Sequence, residues 1–120
     1  MGRLLVHIAT GPENVTRAAL GFLVARSAMA GGHDVDLFLA GDAVGLLRPM
    51  TLDAGVGIGT GSLREHVDAL ASGGATFYAS GQSSKARGLA PESVGEVVVT
   101  FAPPDRLVEL AFAADRVFTY

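Results

Sequence analysis

The stretch YASGQSSKARGLAP, residues 78–91, gathers Ser80, Ser83, Ser84 and Lys85, the last being the only lysine in the chain. Two chemistries suit these residue types. A serine beside a base is a nucleophile for acyl or phosphoryl transfer. Hydroxyls, a lysine and the backbone amides of a starting helix make a seat for a small anion. The spacing does not favour the nucleophile. Gly81-Gln82-Ser83-Ser84-Lys85 begins like a nucleophile elbow but carries Lys85 where the final glycine belongs. A Ser-x-x-Lys pair ending at Lys85 would need a serine where Gln82 stands. Turn and helix-capping roles therefore outweigh serine catalysis, and no residue is assigned a catalytic role. Lys85 and Arg87 suit an anion, while Arg87 suits a subunit contact equally well.

A second group follows the first apolar segment: Thr10, Gly11, Glu13 and Asn14, with Arg17 one turn on. An arginine in the first turns of a helix opposes the helix dipole, a mild sign of a ligand. The plainer reading has Glu13 stabilising the helix start and Arg17 pairing with a neighbouring carboxylate.

The histidines are scattered. His7 lies in an otherwise apolar run and reads as a hydrogen-bonded core or strand-end residue rather than a catalytic one. His33 follows Gly32 in a turn and is expected in solvent, and His66 is expected at the surface or an interface. Their spacing gives no metal site, and with no cysteine in the chain there is no thiolate ligand, disulfide or thiol nucleophile. Glycines at 55, 57, 59 and 61 suggest a phosphate loop, but neither G-x-G-x-x-G nor G-x-x-x-x-G-K fits. A flexible surface loop, able to act as a lid, is the expectation there.

The elements that must position these residues alternate in type. Leu4–Ala9 is a short continuous apolar run and reads as a buried strand. Val15, Ala18, Ala19, Phe22, Ala25 and Met29 recur at helical spacing until Gly31-Gly32, which predicts a helix near 14–30. Val35–Ala40 is a second strand, and Ala43–Arg48 a short helix that Pro49 should stop. Ser62 with Glu65 forms a capping box for a helix over about 63–72. Strands follow at Ala75–Ala79, Glu96–Phe101 and Arg116–Thr119. Helical turns are expected over Ser84–Leu89 and Pro91–Gly95, and a helix begins at Pro103-Pro104.

Strands alternating with helices predict a parallel sheet covered on both faces. Ligands of such sheets sit outside the carboxyl ends of the strands. Both polar groups fall on that edge, so Thr10, Gly11, Glu13, Asn14, Arg17, Ser80, Ser83 and Lys85 form the candidate ligand-binding set.

At 120 residues the chain suits one domain, 1–120, able to bury a core without staples. Its charge of −3 is spread without a basic stripe, so nucleic acid is not expected as a partner. No signal-peptide pattern and no run of spanning length occurs, which leads to the expectation of a cytoplasmic protein without membrane contact.

The order of LLVHIATGPEN, Arg17-Ala18, VDLFLAGDAV, GSLREHVDAL, SSKARGL and ADRVFTY resembles the DsrE/DsrF-like family of small proteins related to sulfur relay. The resemblance covers nearly the whole chain. It implies a three-layer α/β/α sandwich around a five-stranded parallel sheet, and homo- or hetero-oligomers, commonly trimers or hexamers. In sulfur-carrying members a cysteine just after the third strand holds a persulfide, and a second can follow in the same loop. Those positions fall here on Ser80 and Ser83. A hydroxyl forms no persulfide, so this chain is not expected to carry sulfur. The resulting expectation is a non-catalytic homo-oligomeric module that binds a small ligand, with an anion as the candidate, or serves as an accessory. It needs no cofactor. The alternatives are an enzyme using a Ser/Lys/His pocket, or an accessory subunit of a sulfur-relay complex.

Overall fold

A computed structural model of the chain describes residues 1–120. Five strands form one parallel sheet: β1 (Arg3–Ile8), β2 (Asp34–Leu39), β5 (Thr76–Ser80), β6 (Val99–Ala102) and β7 (Arg116–Thr119). Two further short strands, β3 (Val56–Gly57) and β4 (Gly61–Ser62), pair antiparallel as a separate hairpin. The spatial order in the main sheet is β6-β5-β2-β1-β7, which makes β1, β2 and β5 interior and leaves β6 and β7 as edges. The helices are α1 (Val15–Ala30), α2 (Pro49–Ala54), α3 (Leu63–Ser72), α4 (Gly81–Ala86) and α5 (Pro104–Ala113).

Side-chain alternation divides the strands between two cores. Leu4, Val6 and Ile8 of β1, with Val35, Leu37 and Leu39 of β2 and Phe77 and Ala79 of β5, face the larger one. There α1 contributes Ala18, Ala19, Phe22 and Ala25, and α3 contributes Leu63, Val67 and Leu70. Burying each large apolar side chain contributes about 1.5–3 kcal/mol relative to exposure, so this side carries most of the stability. The opposite face presents Leu5, Phe38, Tyr78 and Ala102, closed by α5 through Leu110. One helix covers less than two do. The layers are therefore α/β/α as expected, but the covering is unequal.

Local chemistry sets several element ends; the Ser62 cap and the proline start of α5 are as expected, while Asn14, expected to face a ligand, is found as a cap. The Asn14 side chain caps α1 by accepting the Arg17 amide, and Ser62 caps α3 by accepting that of Glu65. Pro104 opens α5 at a first-turn position, where its missing N–H costs nothing.

Three expectations are corrected. Pro49 does not merely stop a helix: a 3-10 segment runs over Gly41–Leu47, and Pro49 then starts α2. The fourth sheet strand begins at Val99 rather than Glu96, since its pairing with β5 starts at Phe77 opposite Val99. The glycine-rich segment is not a free loop but the β3–β4 hairpin. The Ile58 amide donates to Thr16 Oγ1 at 3.0 Å, and Thr60 Oγ1 donates to the Thr16 carbonyl at 2.9 Å. Gly57 sits so close to Thr16 and Ala19 that the hairpin lies flat on α1.

Candidate functional site

The carboxyl edge of the sheet brings the two predicted groups onto one rim. The first is the connection from β1 to α1. The Glu13 carboxylate accepts the Gly11 amide at 2.9 Å, and Asn14 is the α1 cap. Thr10 donates its amide to the Tyr120 carbonyl at 3.3 Å, tying this loop to the end of β7. Gly11 is buried against the backbone of Asp42, where any Cβ would collide with the Asp42 carbonyl. Its side-chain-free contact is what lets the loops after β1 and β2 close on each other.

The second group runs from β5 into α4. Ser80 is buried at the strand end, and its Oγ accepts the Ser83 amide at 3.1 Å as the α4 cap. Ser83 reaches the other way: its Oγ accepts the Gly41 amide at 2.9 Å. Gly41 adopts φ +58°, a left-handed conformation that aims this amide at α4 and favours glycine. Arg87 adds a clasp, donating to the Ser83 carbonyl at 3.1 Å and to Asp42 Oδ1 at 2.8 Å. Its own carbonyl accepts from Arg48 at 2.9 Å. Arg87 therefore pairs within its own chain.

The structure thus brings Gly11, Ser80 and Ser83 into one network, with Glu13 and Asn14 bonded locally beside it. Arg17 and Lys85 stand apart from it. Both are exposed and neither forms an ion pair, so the expected Arg17–carboxylate pair is absent. They are the free cations of this rim.

No histidine hydrogen-bonds to a serine. His7 occupies the α5 side of β1, edge-on to Phe38 with ring centroids 6.3 Å apart. Its Nε2 is buried without a partner, contrary to the expected hydrogen-bonded histidine, and this desolvation lowers the imidazole pKa. The other unpartnered buried side-chain atom is Ser84 Oγ. His33 is exposed, as expected, and its Nδ1 accepts the Gly2 amide.

His66 overturns its expectation most clearly. It is only 4 % exposed, with Nε2 2.6 Å from the Thr60 carbonyl and Nδ1 3.1 Å from the Arg26 guanidinium. A guanidinium only donates, so Nδ1 is the acceptor and the proton sits on Nε2. The neutral ring fastens the hairpin to α1 and α3. Sequence spacing gave no sign of this, because Arg26 is 40 residues away.

Two clefts lie at the opposite, amino edge. One, of about 710 Å³, runs between the second half of α1 and the starts of β1 and β7, over Leu4, Val24, Ala28 and Phe118, with Arg116 and His33 at its rim. The other, of about 250 Å³, surrounds Arg3, Asp34 and Asp36. There Arg3 pairs with the buried Asp36 at 3.1 Å. No cluster of three or more metal-binding side chains is present. No helix is long and apolar enough to cross a membrane.

Comparison with known proteins supplies the context. A model of the DsrE/DsrF-like family matches residues 3–120. No curated protein sequence matches. Among solved structures, the YchN protein from E. coli superimposes with TM-score 0.83 at 17 % identity, covering 100 % of both chains. The MTH1491 protein from Methanobacterium thermoautotrophicum gives 0.78 at 19 % identity, again over 100 % of both chains. The BT1422 protein from Bacteroides thetaiotaomicron gives 0.73 at 13 %, over 99 % of this chain and 95 % of the other. At these identities the likeness establishes the fold.

Proposed function

This chain belongs to the DsrE/DsrF-like family, and we propose that within it the protein is a non-catalytic, self-associating accessory module that does not itself carry sulfur. One observation carries the reading: the Ser80 and Ser83 hydroxyls of the carboxyl edge are both engaged by backbone amides. Ser80, which the family resemblance aligns with the sulfur-carrying cysteine, uses its hydroxyl as a helix cap. Ser83 uses its own to hold the neighbouring loop. A nucleophile needs a base within hydrogen-bond reach, and neither hydroxyl has one. A site built for turnover keeps such groups aimed outward; here they lock loops together.

Small-anion binding at the same rim is the finer form of this reading. Its support is narrower, namely the unpaired cations Arg17 and Lys85, and it requires a pocket completed by a second chain. A subunit contributing structure to a sulfur-relay complex, with the cysteine supplied by another chain, is compatible with the same features.

The enzyme alternative is separated by assay. A panel of ester and phosphoester substrates is offered to the wild-type protein and to Ser83→Ala. The proposal expects no turnover that depends on Ser83. Turnover present in the wild type and abolished in the variant would overturn it.

A further inference from the structure

We propose that β7 is a self-pairing edge through which two copies of this chain join antiparallel, so that five strands from each run on as one sheet. This rests on the self-association proposed above and names its surface.

The two edges of the sheet differ. On β6, Ala102 is buried and Val99 and Phe101 pack against the main core. All four residues of β7 are exposed, Val117 by 42 % and Phe118 by 45 %. Soluble proteins blunt open edges with proline, bulges or several charges. β7 has no proline, pairs in unbroken register with β1, and carries Arg116 as its one charge.

The phase of its ladder determines what the edge offers. Tyr120 donates to the His7 carbonyl at 2.8 Å and accepts the Ala9 amide at 2.8 Å. Bonding residues alternate along a parallel strand, so Phe118 and Arg116 also turn their groups toward β1. Val117 and Thr119 turn their amides and carbonyls outward, unpaired. A two-fold axis through Phe118 places Val117 opposite Thr119 of the second copy. Each then donates to and accepts from the other, and no open group is left over. Arg116 faces Tyr120 of the second copy rather than its own image, so the register brings no like charges together.

Both layers leave apolar side chains beside this strand. On the α1 side Val24 and Phe118 border the 710 Å³ cleft, and Leu20 of α1 is exposed as well. On the other side, Arg106 of α5 lies over the Tyr78 ring of β5 at 5.5 Å. Successive helix residues turn by about 100°, so Val108, on the flank of α5 opposite Arg106, points toward β7, while Phe112 stands off the helix away from the sheet. Phe112 is 89 % exposed. Together Val108, Val117, Phe118 and their neighbours on α1 expose on the order of 300 Å² of apolar surface, against about 800 Å² that each partner buries in a stable interface. Backbone and polar rim supply the remainder. An isologous contact also needs one patch to match itself, and this patch does.

The decisive variant is Val117→Pro. It deletes an outward amide that the single chain does not use, and proline is tolerated on such an edge. Phe118→Glu and Phe118→Lys place charges at the two-fold axis. Light scattering after size exclusion is expected to show the wild type as an even multiple of the chain mass. Val117→Pro should run at half that mass with an unchanged far-UV spectrum. Phe118→Glu and Phe118→Lys should each dissociate alone and recover the wild-type mass when mixed. A wild-type assembly left intact by Val117→Pro would overturn the β7 surface while leaving self-association standing. If Val117→Pro fails to fold, a Glu/Lys mixture that does not recover would overturn it instead. A wild type that runs as one chain would overturn both, and would leave β7 as an edge for some other protein.

Discussion

Ser83 Oγ accepts the Gly41 amide at 2.9 Å, across 42 residues of sequence. The bond joins the loop after β5 to the loop after β2 and turns a serine that could look catalytic into a structural tie. Its neighbour Arg87 reinforces it by pairing with Asp42. The rim behaves as a closed clasp.

Replacing Ser83 by alanine should leave the Gly41 amide without its partner in a half-buried site. A loss of about 1–3 kcal/mol is expected, read as a lower urea midpoint with an unchanged denaturant slope. A midpoint within error of the wild type would mean that water replaces the hydroxyl and that the clasp is weaker than described.

Gly11→Ala tests the same closure from the other loop. The new methyl must displace the Asp42 backbone, a misfit expected to cost about 1–3 kcal/mol. Amide exchange of residues 10–14 and 41–43 should rise together. Faster exchange in only one of the two segments would argue against a shared contact.

His66→Leu removes both the Thr60 and the Arg26 contact while keeping an apolar side chain in the core. The β3–β4 hairpin should become the first site of protease cleavage, with a global loss of about 1–3 kcal/mol from the groups left unpaired. Unchanged cleavage at 56–62 would show that the two Thr16 bonds suffice to hold it.

His7 gives the fold a pH dependence of definite sign. Its pKa is lowered by desolvation, so the unfolded chain, with histidine near 6.5, takes up a proton before the folded one does. The unfolded state then binds more protons, and stability falls as the pH drops below about 6.5 toward the folded-state pKa. Urea midpoints measured at neutral and mildly acid pH should show that decline in the wild type and less of it in His7→Phe. Equal declines would place the effect elsewhere.

Much of the architecture is local and was therefore legible. The Ser62 cap, the glycine stop after α1 and the proline start of α5 each act within a turn of their own position. The apolar runs of β1, β2 and β5 announce buried parallel strands. What escaped is non-local. Nothing near Gly57 indicates that Thr16, more than 40 residues earlier, turns a glycine-rich stretch into a hairpin. His66 is buried by Arg26 and Thr60, and Ser83 is engaged by Gly41. In each case the residue type was visible and its partner was not. The rim position of Ser80, Ser83, Thr10 and Asn14 follows from strand order, whereas the bond from Gly41 to Ser83 and that from Thr10 to Tyr120 join segments far apart in the chain.

Native mass spectrometry of the gently purified protein tests the central claim most directly. A non-catalytic self-associating module should appear as an assembly of 12.3 kDa chains, and denaturing the same sample should return the bare chain mass with no covalent adduct. Mass released on denaturation would further identify an anion held between chains. A single 12.3 kDa species at working concentration, or a covalent intermediate retained on the denatured chain, would contradict the account.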